Sequence, residues 1–207
     1  MLIVKSVVSI VILSVVFLLL KAISTKLKPY FKHFFAKCNY FVRRIYRLIK
    51  VRKRAEFVWQ DLIDLSRNNG WHFGQFEKHK RIETSFQEED GQILKFHYRV
   101  TQNNIIFESI ILPSFNEDLT TDVMILASHL NTLISFGKVR VNVKYNYVEF
   151  VFIGDLIPYM LYSGNIANDI LTHHDITKDC VWAFLHLVET GDDPVFIITA
   201  FLRYNNL

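Results

Sequence analysis

From Ala55 onward the apolar positions change period several times, and each change marks an element. Ala55–Asn69 repeats at three and four residues, predicting a helix closed by Asn69-Gly70, where glycine accepts a left-handed cap. Arg81–Phe86 and Gln92–Val100 read as strands around the acidic turn Glu88-Glu89-Asp90-Gly91, whose Asp-Gly step is a strong hairpin signal. In the second strand Leu94, Phe96, Tyr98 and Val100 alternate with Lys95, His97 and Arg99, so one sheet face is expected to be wet. Ile105–Leu112 follows Asn103-Asn104 and stops at Pro113.

A second helix is expected from Thr120-Thr121-Asp122, with Val123, Leu126, Ala127, Leu130, Leu133 and Ile134 as its buried stripe and Gly137 at its end. Val139, Val141, Val143 and Tyr145 form one arm of a hairpin, and Val148, Phe150 and Phe152 form the other beyond Asn146. A third helix is read over Thr177–Glu189, preceded by a helical pattern at Asn165–His173. The apolar tail after Pro194 suits either a helix with proline in its first turn or an added strand.

The first 54 residues have a different pattern. Ser6–Leu20 is uncharged, and the apolar stretch from Leu2 to Ile23 would make about 33 Å of helix, enough for a bilayer core. A cleaved signal peptide, a buried helix and a retained anchor compete for it. From Pro29 to Arg54, Phe31, Phe34, Phe35, Cys38, Phe41, Val42, Ile45, Leu48 and Ile49 share one helical face, opposite Lys32, Lys37, Arg43, Arg44, Arg47 and Lys50. Those six cations are the expected contacts with anionic membrane lipids. Packing on the rest of the chain, or nucleic acid, are the other readings of this basic aromatic face.

Charge then separates the two parts. Residues 1–54 hold 13 Lys/Arg and no Asp or Glu, whereas the remaining 153 hold 11 basic and 20 acidic residues. Cationic flanks stay on the cytoplasmic side, which favours a retained anchor over residues 1–25 and a basic juxtamembrane helix over 26–54. The domain over 55–207 is then expected in the cytoplasm, held at the inner membrane by a single pass. Its acidity argues against nucleic acid as a partner. Two cysteines, Cys38 and Cys180, exclude a disulfide framework and a four-cysteine zinc site.

The fold class read from these elements is α+β, an antiparallel sheet with helices on one face in the order α-β-β-β-α-β-β-α, after a transmembrane helix and a basic amphipathic helix. The opening helix ending in Asn69-Gly70-Trp71, the meander Arg81–Leu112, the junction Leu130–Val139 and the hairpin Val139–Phe152 carry a resemblance. Over roughly residues 55–190 the chain resembles YbjN-type domains of the type III secretion chaperone-like fold, here with an added membrane anchor. That resemblance implies a non-enzymatic binding module, often dimeric, that holds a protein or peptide segment or regulates signalling or secretion.

Candidate chemistry is sparse. His173-His174-Asp175 is the densest cluster of ligand types, but adjacent helical residues point apart, so Asp175 is expected to cap a helix in a polar linker. Cys180 sits among Val181, Trp182 and Phe184 as a small hydrophobe, with His186 off its face. Glu88-Glu89-Asp90 reads as a solvated turn and Asp192-Asp193 as a turn or cap. Asn131 and Phe136 read as structural, and Tyr145, Tyr147, Tyr159 and Tyr162 as either a partner surface or cross-strand packing. No phosphate-loop, dinucleotide-binding, zinc-protease or serine-hydrolase string occurs. The expectation is therefore a membrane-anchored protein-binding module without cofactor, metal or enzymatic activity. A lipid-binding protein working through residues 29–54 is the alternative.

Overall fold

The computed structural model describes Val42, residues 45–88 and residues 91–204. The chain divides at Lys50. Before it, the described residues are Val42 and a helical stretch at 45–49. From Lys50 a turn and a short 3-10 segment, Val51–Lys53, lead into α1, Arg54–Asn68. Gly70, at φ +67°, closes α1, and the Trp71 N–H returns to the Ser66 carbonyl.

Four strands follow: β1 Phe73–Phe76, β2 Arg81–Gln87, β3 Ile93–Val100 and β4 Asn104–Leu112. Then come α2 Thr120–Leu133, β5 Lys138–Asn142 and β6 Tyr147–Asp155. Three helices end the chain: α3 Leu156–Leu161, α4 Gly164–Thr190 and α5 Pro194–Tyr204. All strand pairings are antiparallel, in the order β1-β2-β3-β4-β6-β5. Alternation sends Ile82, Leu94, Phe96, Tyr98, Ile105, Phe107, Val148 and Phe150 to one face, where they are buried under the helices. α4 lies along β4, α1 lies against β3 and α3, and α2 covers β5. α5 packs on α2 and α4 through Ile197 and Phe201.

Several expectations are corrected. β1 precedes the three expected strands; at four residues with a central glycine it is too short to show alternation. The two helical patterns at 165–189 are one helix of 27 residues, because Asp175 and its neighbours continue the turn instead of capping one. The tail is helical, with Pro194 at its first position and Asp193 Oδ1 accepting the Val195 N–H at 2.8 Å.

The larger correction concerns the membrane. Among the described residues no helix is long and apolar enough to cross a bilayer. α4 has the length, but Asp169, Asp175, Lys178, Asp179 and Glu189 interrupt it. Residues 1–25 and most of 26–54 lie outside the described residues. A fold class that includes a transmembrane helix, and the single-pass inner-membrane location built on it, are therefore replaced by the mixed α/β unit alone.

Gly137 shows how tightly the β5 end is built. It sits at φ +77°, and a Cβ there would fall 2.2 Å from the Phe150 ring. Gly137→Ala is expected to cost about 2–4 kcal/mol, combining left-handed strain with overpacking. Gly91→Ala, also at positive φ but with nothing within 4 Å, should cost only about 1 kcal/mol. Denaturant unfolding compares the two, and equal losses would show that the Phe150 contact adds nothing.

Candidate functional site

Three places concentrate polar chemistry. The first is sealed. His173 faces the sheet from the middle of α4 and is fully buried, ringed by Phe96, Tyr98, Phe107 and Phe150 at centroid distances of 5.1 to 5.8 Å. Its Nε2 lies 3.1 Å from Ser109 Oγ on β4, and Ser109 Oγ lies 2.7 Å from Thr177 Oγ1, one turn along α4. A serine and an imidazole at that distance have the spacing of a nucleophile and its base. Two facts deny them that role. Ser109 is 1% exposed, and His173 Nδ1 is buried without a partner, so nothing orients the ring as a third group would. Burial holds the imidazole down at about 3, and hence neutral. The Tyr98 hydroxyl is likewise buried without a partner, and burial pushes its ionisation up.

The second place pins the β2–β3 turn to α4. Glu88, expected in a solvated turn, has a side chain only 10% exposed and meets two residues one helical turn apart. His174 Nε2 and Lys178 Nζ each lie 2.8 Å from one of its oxygens. The lysine bond, with help from His174, holds the Glu88 carboxyl below its usual range against the opposing effect of burial. So His173 and His174 do point apart, one into the core and one to the turn. Glu89 and Asp90 lie outside the described residues.

Other expected residues are dispersed. Cys180 is buried in α4 and its thiol is pushed up by burial, so it is no nucleophile. His186 meets Asp192 at 3.2 Å and stacks on Trp182. Tyr159 is buried, and its hydroxyl donates to Asp169. Tyr145 and Tyr162 are exposed, and Tyr147 is half-buried. Of the expected membrane-surface cations, Lys32, Lys37, Arg43 and Arg44 lie outside the described residues. Arg47 is half-buried and Lys50 exposed. Among the described residues no group of three or more His, Cys, Asp or Glu could hold a metal ion.

The third place is the sheet itself. On the face away from the helices one register row runs Gly74, Glu83, His97, Glu108, Val151 and Lys138 across all six strands. The next row runs Phe76, Arg81, Arg99, Ile106 and Ile153. Phe76 and Ile153 are 46% and 50% exposed, so no described element covers this face there. Arg81 pairs with Glu83 at 2.6 Å, and Arg99 approaches Glu108 at 3.6 Å. Burial and the Arg81 charge hold His97 below its usual range.

The two edges of this sheet differ. At β5, Asn131 of α2 donates from Nδ2 to the Val139 carbonyl at 2.9 Å and accepts the Val139 N–H on Oδ1 at 2.8 Å. The amide thus stands where a further strand would bond. At β1 no strand or helix among the described residues lies on the outer side. Sequence reading marked Asn131 as structural but gave no sign of this edge role, because an amide eight residues from its partner has no periodicity to detect.

No family model matches the chain. No curated protein matches it either. Among solved structures it is similar to the crystal structure of YbjN from E. coli, at 10% identity with a TM-score of 0.45, covering 63% of this chain and 93% of that one. A likeness at that level carries no function. The sequence-based identification as a YbjN-type domain with an added anchor is accordingly reduced to a weak likeness in fold. The membrane-anchored role falls with it, since the described residues hold no spanning helix.

Two outcomes test the buried groups. A histidine neutral in the core but free to protonate near 6.5 when unfolded withdraws stability as pH falls from about 6.5 toward 3, by about 2 kcal/mol between pH 7 and 5. His173→Gln should abolish that loss in urea titrations at the two pH values; parallel curves for the two proteins would show that the ring protonates in place. Glu88, with its lowered carboxyl, contributes stability above the usual carboxylate range and loses it as pH falls through the lowered value. Glu88→Gln should speed amide exchange at Gly91 and Gln92 at neutral pH while leaving the core of α4 protected, and unchanged exchange at the turn would sink that assignment.

Proposed function

We propose that the unit from Lys50 onward is a protein-binding module, taking an extended segment of a partner onto the outer side of β1. The observation that carries this reading is the asymmetry of the sheet edges. Both backbone groups of Val139 on β5 are satisfied by Asn131, and Lys138 and Arg140 charge that edge. Among the described residues β1 has only β2 beside it. An unpaired strand offers main-chain donors and acceptors to an added strand, while alternate side chains supply specificity. Catalysis has no comparable support, since the one serine–histidine pair described is sealed in the core.

A photo-crosslinking phenylalanine analogue at Phe76 in the full chain should capture a discrete partner from the native cell extract. The same analogue at Arg140, on the opposite edge, should not. Equal capture at both positions, or none at Phe76, would rule out β1 as the binding edge.

A further inference from the structure

Resting on that reading, we infer that the extended segment received at β1 is β1 of a second copy of this chain, paired about a two-fold axis through Gln75. β1 is Phe-Gly-Gln-Phe, without a charged side chain, and among the described residues its backbone bonds only to β2. Charge decides whether an edge strand can face its own image. Two copies of β5 would bring Lys138 and Arg140 against one another or Arg140 against itself, and like charges directly opposite destabilise a strand pair. Two copies of β1 carry no such repulsion.

Symmetry then restricts the register. Two identical edges joined by a two-fold axis pair antiparallel, about an axis normal to the sheet, so both molecules keep the same face upward. Residues opposed in such a pair share a face. Gly74 and Phe76, on the helix-free face, can therefore oppose each other or themselves but never Phe73 or Gln75. Two registers keep three of the four residues of each strand paired. With Gly74 on the axis, the glycines face each other and Phe76 lies beyond the partner's strand. With Gln75 on the axis, each Phe76 stands opposite the partner's Gly74. Packing selects the second. Phe76 is 46% exposed, and a Cβ at Gly74 would meet only the Phe76 ring, at 3.4 Å, so the space over the glycine is otherwise open. A glycine inside a strand marks a place where a neighbour can approach closely. The two Phe76 rings then stand on a diagonal across the two glycines, about 7–8 Å apart, a span that aromatic side chains bridge.

The test puts charge on the axis. Gln75 is half-buried and its amide bonds Glu77 at 2.6 Å, so changes there leave the core intact. In the purified full chain Gln75→Lys and Gln75→Glu each oppose a charge to its own copy, whereas an equimolar mixture opposes lysine to glutamate. Sedimentation equilibrium should show the unaltered chain dimerising reversibly. At low salt the mixture should associate about tenfold more tightly than either variant alone, with amide exchange at Phe73–Phe76 slowed in step with the dimer. An unaltered chain that stays monomeric, or a dimer that neither substitution weakens, would overturn the pairing. Loss in both variants without recovery in the mixture would overturn it as well, since self-opposition at Gln75 requires the rescue. If Phe76 crosslinks a different protein while this chain stays monomeric, the second copy is refuted and the binding edge survives. If neither crosslink nor dimer forms, both fall.

Discussion

The position of α4 on the sheet governs the rest of the fold, and it is fixed by a polar contact inside an apolar layer. Apolar packing alone would tolerate a helix that slides or rotates on β4, because Leu and Ile side chains interchange with little cost. The contact of His173 with Ser109 does not tolerate it. A shift of one turn, about 5.4 Å, would bring Ile170 or Thr177 over Ser109 and leave the imidazole among aromatic rings with no partner at either nitrogen. Leaving one more polar atom buried and unpaired costs about 1–3 kcal/mol. One turn register is thereby selected over its neighbours, and Glu88 then grips α4 from outside at His174 and Lys178.

With α4 fixed, the two sheet faces take separate roles. The helix side is closed by aromatic and aliphatic packing and holds its titratable groups in forms that do no chemistry: a neutral histidine, a protonated thiol and phenols whose ionisation is pushed up. The other side keeps its charges in water and its rows in register, so any recognition by the sheet falls there. The division follows from one-residue alternation in β2, β3 and β4, continued across β6.

That alternation was also the most legible part of the sequence. Lys95, His97 and Arg99 announced a wet face, and Asn69-Gly70 announced the end of α1, because both signals are local. β1 escaped notice since Phe-Gly-Gln-Phe is too short to define a period. The union of two helical patterns into α4 was obscured by His173-His174-Asp175, which looks like a break until the sheet buries the first histidine and the turn pairs with the second. Glu88 reads as solvated in sequence because His174 and Lys178, which meet it, lie some ninety residues along the chain. The membrane reading drew on residues 1–54, nearly all of them outside the described structure, and the longest described helix is too charged to stand in for an anchor.

The amide of Asn131 has a further effect on what copies of this protein can build. Edge-to-edge pairing extends into a fibre only when each molecule presents two receptive edges, one to give and one to receive. Here the Asn131 amide holds both backbone groups of Val139, so among the described strands the middle of β5 offers a second copy less than β1 does. A single side chain on a neighbouring helix thus guards this point of the edge, and losing it would free both Val139 groups for another strand.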